Sequence, residues 1–361
     1  MTTIGIPKEV RDLERRVGLT PAGVLALKQA GHTIYVQAEA GVGAGFSDEA
    51  YRQAGAQIVY SAGEVYGRAD IIAKVTRPCA DEHALFRPGQ TIFSFLHLSV
   101  ASPDLRQALE SHEITAVAYE MIEEPDGNRP VLRPASEVAG RMAPLIAGQL
   151  LSSYQPGLAG EGLGILLSGL AGVPPATVVI VGAGVLGRNA ARACMGMGAQ
   201  VTVLDRSIEA LRVIDNRFDG RVTTMFANEY NLKRAAAFAD VLIGAVSIPG
   251  QRSPVIISRD MVRSMRKGSV IMDFSIDQGG CVEGIRPTTL RDPAYLAEGV
   301  IHYAVPNMTA VYARTTSHAI TNSALPYLLA AAEHGLPAAF AYLPALEKGV
   351  NLLQGKPASN R

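Results

Sequence analysis

Short apolar, β-branched runs alternate with amphipathic stretches from the first residues of the chain onward. Residues 3–6, 33–36, 70–75, 91–96 and 115–119 read as strands, because brief continuous apolar runs bounded by turn residues suit strands buried on both faces. Between them, segments such as 21–32 repeat apolar positions at helical spacing and close on glycine. A second series follows, with strands expected over 177–181, 201–205, 222–226, 240–246, 269–274 and 300–305. Such alternation folds as a parallel sheet with helices on both faces. The pattern therefore predicts an α/β chain of two doubly wound, parallel-sheet, Rossmann-like domains with a cleft between them.

The segment 136–154 carries Val138, Met142, Leu145, Ile146, Leu150 and Leu151 on one helical stripe. Ser136 is the expected N-cap, and Pro144 predicts a kink or break. Further helices are expected over 319–333 and 337–349, returning to the first domain. The division is then 1–135 with 310–361 for one domain, expected to take substrate, and 136–309 for the other, expected to take a dinucleotide.

Composition narrows the functional classes. At 361 residues and 48% hydrophobic, the chain can fill two cores. Its 33 basic and 33 acidic residues leave no net charge, so no field exists to hold nucleic acid or an anionic membrane non-specifically. Cys79, Cys194 and Cys281 are widely spaced and form no C-x-x-C pair, which excludes a disulfide framework and a cysteine zinc site; no metal is expected. Every apolar stretch is interrupted well short of the roughly 18 residues a membrane span requires, and the first residues lack an apolar signal region. The expectation is a soluble cytoplasmic protein.

The strongest local motif is Gly182-Ala183-Gly184-Val185-Leu186-Gly187, placed directly after the strand expected at 177–181. Gly182 would permit the tight turn, Gly184 would let backbone approach a pyrophosphate, and Gly187 would let the helix pack closely on the strand. The helix N-terminus presents N–H groups to phosphate. Asp205, ending the next strand 18 residues beyond Gly187, suits a ribose 2′-OH and repels a 2′-phosphate, so NAD is favoured over NADP. The neighbouring Arg206 could serve a phosphate and pulls the other way.

Ligands of open parallel sheets bind beyond the carboxyl ends of the strands. That rule selects Lys8, Glu9, Arg16, Lys74, His97 and Glu120 in the first domain and Asp277 in the second. Each also has a bland reading. Arg16 belongs to the charge run Glu14-Arg15-Arg16, which could simply be solvated, or it could clamp a carboxylate. Lys74 could be a surface lysine or a point charge on a substrate oxygen. His97 could be a satisfied core histidine or an acid/base. Asp277 could cap the turn with Gly279 and Gly280.

Longer stretches are more specific. IGIPKEVRDLERRVGLTPAGV, AKVTRP, FSFLHL, SEVAGRMA, VVIVGAGVLGRNAARACMGMGAQVTVLD, MDFSIDQGGCVEGIRPTT and AITNSALPYL together resemble the alanine dehydrogenase family, shared with the NAD-binding subunit of proton-translocating transhydrogenase. The resemblance spans nearly the whole chain, and IDQGGCVE with RPTT points to the dehydrogenase branch. It implies reversible oxidation of L-alanine to pyruvate and ammonia with NAD. Arg16 and Lys74 would bind the oxo acid, His97 would act as acid/base, and Asp277 as the second catalytic group, also beside NAD. Ser136, Val246, Ser247, Asn307 and Met308 fall at family positions around NAD, and the family forms hexamers. Two other readings are a related reductase that joins a 2-oxo acid to a larger amine and a transhydrogenase-like NAD-binding module. The chain departs from the family pattern at Arg77, where K-V-K-E-P has become Lys74-Val75-Thr76-Arg77-Pro78. It also departs over 308–318, which loses prolines and gains Tyr312 and His318, and in a Gly-rich stretch at 158–163.

Overall fold

The structure is a computed structural model and describes residues 1–154, 162–248 and 250–358. Most of the Gly-rich stretch at 158–163 lies outside the described residues. The chain divides into two compact units, Met1–Ala135 with Thr309–Arg361, and Ser136–Met308.

In the first unit, β1 (Thr3–Ile6), β2 (Thr33–Gln37), β3 (Gln57–Val59), β4 (Ile71–Thr76), β5 (Thr91–Phe95) and β6 (Thr115–Ala118) lie parallel in the order β6-β5-β4-β1-β2-β3. Strands β4, β5 and β6 are buried almost throughout, as continuous apolar runs require when helices cover both faces. The chain winds outward from β1 in both directions, so the order reverses between β1 and β4. Their carboxyl ends, leading to Glu9 and Thr76, mark the switch point at which such sheets bind ligands.

The second unit contains β7 (Thr177–Val181), β8 (Gln200–Asp205), β9 (Thr223–Phe226), β10 (Val241–Gly244), β11 (Val270–Asp273), β12 (Ala294–Ala297) and β13 (Val300–Tyr303), ordered β12-β13-β11-β10-β7-β8-β9. All pairs are parallel except β12 with β13, which pair antiparallel. The chain then returns to the first unit through the helix Ala313–His334 and ends in β14 (Val350–Leu353) and β15 (Lys356–Pro357), which add antiparallel strands beside β6. Each sheet thus carries an antiparallel edge on a parallel centre.

Two expectations about the long helix need correction. It runs Leu132–Leu150, so Ser136 lies inside it and caps nothing. Pro134 is tolerated in its first turn, where the missing N–H needs no partner. Pro144 does not break the helix either. Losing a bond there costs about 3 kcal/mol, while burying the flanking Met142 and Leu150 side chains returns roughly 1.5–3 kcal/mol each; burial prevails. The expected helix at 337–349 is also too long, since only Ala345–Gly349 is α-helical, after a short 3₁₀ turn at Ala338–Ala341. Among the described residues no helix is long and apolar enough to cross a membrane, and no group of three or more acidic, histidine or cysteine side chains could hold a metal.

Candidate active site

In the first unit, the charge run at Arg16 is not solvated. Arg15 is exposed, but Glu14 and Arg16 are buried. Arg16 Nε donates to Glu14 Oε1 at 2.7 Å and Nη2 to Oε2 at 2.6 Å, a bidentate pair along one edge of the guanidinium. Its Nη1 donates to Thr309 Oγ1 at 2.9 Å, across 293 positions of sequence.

Lys74 was expected near a rim, yet its side chain is fully enclosed. Its Nζ lies 2.7 Å from Glu82 Oε1 and 3.4 Å from Glu9 Oε2. Burial alone would lower the lysine pKa, but the two carboxylates outweigh it and hold it above the ordinary value. Glu82 also accepts from Tyr66 Oη at 3.0 Å and from the Cys79 N–H at 2.9 Å. Glu9 accepts from the Val75 N–H at 2.6 Å and from the Thr76 hydroxyl. The lysine therefore joins the end of β4 to the segment after β1 and to the helix Ala80–His83. In this arrangement its charge is spent inside the protein.

His97 follows β5 with a backbone φ of 44°, a left-handed conformation in a residue that has a Cβ. The buried Glu120 carboxylate holds that conformation, accepting the His97 N–H at 2.7 Å and the Leu96 N–H at 3.2 Å. Glu120 Oε1 also lies 4.0 Å from His97 Nδ1, and the imidazole is stacked beside Phe95. Strained backbone of this kind persists only where surrounding groups over-determine it. The departures from the family pattern pack locally. His318 meets Phe46 edge-to-face with centroids 5.1 Å apart, Arg314 lies 4.7 Å over the same ring, Arg77 is half-buried and Tyr312 is exposed.

In the second unit, the glycine loop joins β7 to the helix Val185–Gly196. Gly182 has a φ of 114°, and a Cβ there would sit 2.3 Å from the Ala245 carbonyl oxygen. A Cβ on Gly187 would come within 1.8 Å of the Gly182 oxygen, whereas one on Gly184 meets nothing within 4 Å. Two glycines thus close the turn and the third borders open space. Asp205 ends β8, accepting the Ala183 N–H at 2.6 Å and the Ser207 N–H at 2.8 Å. Val246 and Ser247 follow β10, with the Val246 N–H donating to Ser275 Oγ at 3.1 Å; Ser247 is exposed. Ser136 and Asn307 are half-buried, while Met308 is buried in the core.

Asp277 is half-buried in a 3₁₀ turn, Ile276–Gln278. The loop is organised from beneath by Asp273, which is fully buried. Asp273 accepts the N–H groups of Ser275, Cys281 and Val282 at 2.9, 2.7 and 3.1 Å. Burial raises its pKa against the pull of those amides. Sequence reasoning passed over Asp273, Glu82 and Thr309. The first two carried a legible signal, an acid just before a Ser-x-Asp-x-Gly-Gly turn and a Cys79-x-x-Glu82 capping box. Thr309 carried none.

A glycine loop at the first strand–helix turn of one doubly wound sheet, and buried charges at the switch point of another, define a two-unit protein of the Rossmann-like dinucleotide-binding fold class. The chain belongs to the alanine dehydrogenase/PNT family: the family's N-terminal domain matches residues 5–139 and its C-terminal domain 143–360. It is 46% identical over 354 residues to an alanine dehydrogenase of Methanococcus maripaludis, covering 98% of this chain and 93% of that protein. It is 44% identical over 353 residues to an alanine dehydrogenase of Bacillus subtilis, covering 98% and 91%. A solved L-alanine dehydrogenase superposes with a TM-score of 0.91 at 41% identity, over 99% of this chain and 97% of the other. A transhydrogenase from Sinorhizobium meliloti shares the fold, with a TM-score of 0.79 at 24% identity over 99% of both chains.

Proposed function

We propose that the protein is an NAD-dependent alanine dehydrogenase, interconverting L-alanine, water and NAD+ with pyruvate, ammonia and NADH. The observation that carries this reading is similarity to alanine dehydrogenases through both units, at 46% identity over 98% of the chain. The dinucleotide loop fits the cofactor: Gly184 borders open space at a helix N-terminus, where N–H groups favour phosphate. The Asp205 carboxylate retains lone pairs for a ribose 2′-OH beyond the two amides it accepts. Ser136, Val246, Ser247, Asn307 and Met308 would complete the cofactor's surroundings by family resemblance.

When bound, the nicotinamide ring supplies the hydride acceptor or donor. The chain's own residues bind the acid, place it and move protons. Arg16 holds the substrate carboxylate, with one edge of its guanidinium engaged by Glu14. His97 gives and takes a proton at the oxygen of the oxo acid and its carbinolamine. Asp277 orients ammonia or water and stabilises the cationic iminium. Lys74 would bind the oxo acid's carbonyl oxygen by family resemblance, and it also neutralises Glu9 and Glu82 at the end of β4. The family's assembly into hexamers extends to this chain as part of the proposal.

The test is initial-rate measurement of NADH oxidation with pyruvate and ammonia, set beside pyruvate with ornithine or lysine, and with NADPH in place of NADH. Turnover with ammonia and NADH supports the reading. Turnover only with the larger amines would make the protein a reductase of the second kind, and NADH binding without turnover of any of them would leave a nucleotide-binding module.

A further inference from the structure

We propose that Thr309 is the positioning residue that sets the orientation of Arg16 toward a substrate carboxylate, which deepens the functional reading above and rests on it. Glu14 alone cannot fix the guanidinium in space. It lies two residues away on the same loop and so gives the guanidinium no reference outside that loop. Thr309 belongs to a remote segment, the first residue of the chain's return to this unit, and it binds Nη1 at 2.9 Å, an atom Glu14 leaves alone. A rigid planar cation held at both ends of its fork has one orientation.

Thr309 is itself tied to the helix Ala313–His334. Thr316 Oγ1 donates to the Thr309 carbonyl at 3.0 Å. The same helix grips the residues after Arg16, with Ser317 Oγ accepting the Val17 N–H at 3.1 Å and Thr321 Oγ1 accepting the Thr20 N–H at 3.0 Å. All four hydroxyl residues are buried, so the helix supplies a fixed reference for both the guanidinium and its backbone. Buried hydroxyls are costly to place unless satisfied, and here Thr309 bonds the cation, Thr316 the Thr309 carbonyl, and Ser317 and Thr321 the backbone just after Arg16. Preorganising that cation before the acid arrives removes an ordering cost from binding.

The experiment compares wild type with Thr309→Val and Thr309→Ser, and with Arg16→Ala alone and combined with Thr309→Val. Loss of one hydrogen bond to a charged group predicts that Thr309→Val raises KM for pyruvate roughly 10-fold, while kcat and NADH affinity stay within about twofold. Thr309→Ser, which keeps the hydroxyl, should restore KM, and Thr309→Val should add nothing further once Arg16 is alanine. An unchanged KM in Thr309→Val, beside a large effect of Arg16→Ala, would overturn the positioning role and leave the Arg16 reading standing. No effect of Arg16→Ala on KM would overturn both. A KM defect in Thr309→Val that persists undiminished in the Arg16→Ala background would show that Thr309 acts by another route, and would also overturn the proposal.

Discussion

His97 shows how a single residue can carry both a chemical group and a conformational demand. Its left-handed φ of 44° is space that non-glycine residues seldom occupy, and Glu120 meets the demand by binding two successive amides, those of Leu96 and His97. The imidazole is thereby aimed by backbone rather than by a bond of its own. We predict that His97→Ala lowers turnover with pyruvate and ammonia by about 10² to 10⁴, the usual worth of a placed proton-transfer group. Fluorescence titration should show NADH binding retained; near-normal turnover would remove His97 from the chemistry. Glu120→Gln keeps its size but weakens the acceptor, and it should lower kcat by a smaller factor. The strand-end positions of the glycine loop, Asp205 and His97 were legible because each type has a strong local reason to stand there. The partners of Arg16 were not. Glu14 looked like part of a solvated run, and Thr309 stands 293 positions away, where no periodicity or spacing points to it. The surface-lysine reading of Lys74 fails for a related reason: an apolar run with one lysine leaves open whether the cation escapes to water or is enclosed, and only the remote Glu9 and the Glu82 eight positions on decide it.

At the scale of elements, the sequence exposed every central parallel strand and one edge strand, β9. β1 and β7 fall where their apolar runs predict, because burial on both faces demands an uninterrupted run. The edge strands β3, β12 and β15, and β14 beside β15, were missed. β3 is three residues with an exposed glutamine, and β12 is four residues of which only Ala294 is buried while Leu296 is exposed, patterns shared by many loops. β14 is only four residues, Val350–Leu353, with a polar Asn351 inside it. One edge pair has a consequence for stability. His302 of β13 is buried and stacks on Tyr295 of β12 at 5.0 Å, with Arg286 4.0 Å over the tyrosine ring. Burial lowers its pKa from 6.5 to about 4, against the opposing pull of the Ala297 carbonyl and the Glu298 carboxylate. As pH falls below 6.5, the unfolded chain takes up a proton that the folded one refuses until about 4, so stability is lost across that window. At 1.36 kcal/mol per unit the loss is about 3 kcal/mol at most. Urea unfolding at successive pH values should show this slope, and His302→Phe, which keeps a ring to stack, should flatten it. An unchanged slope would place the acid sensitivity elsewhere.

At the scale of the whole molecule, the two units close separate hydrophobic cores. Residues such as Ile4, Phe93 and Leu328 belong to the first, and Val178, Ile243 and Met272 to the second. The chain passes between the units only at 135–136 and 308–309. The dinucleotide loop and its Asp205 lie in one unit, and the Lys74 cluster lies in the other. Removing a single partner from a buried ion cluster costs about 3–5 kcal/mol, because the charges left behind cannot reach water. Lys74→Met would leave Glu9 and Glu82 without the cation they share. We therefore predict that Lys74→Met destabilises the first unit by about that amount and separates the calorimetric unfolding into two transitions. NADH affinity should change little, because the residues proposed to hold the cofactor belong to the other unit, whereas turnover should fall with the distortion of β4. Loss of NADH binding in step with turnover would mean that the two cores stand or fall together, and the independent unfolding of the units would have to be abandoned.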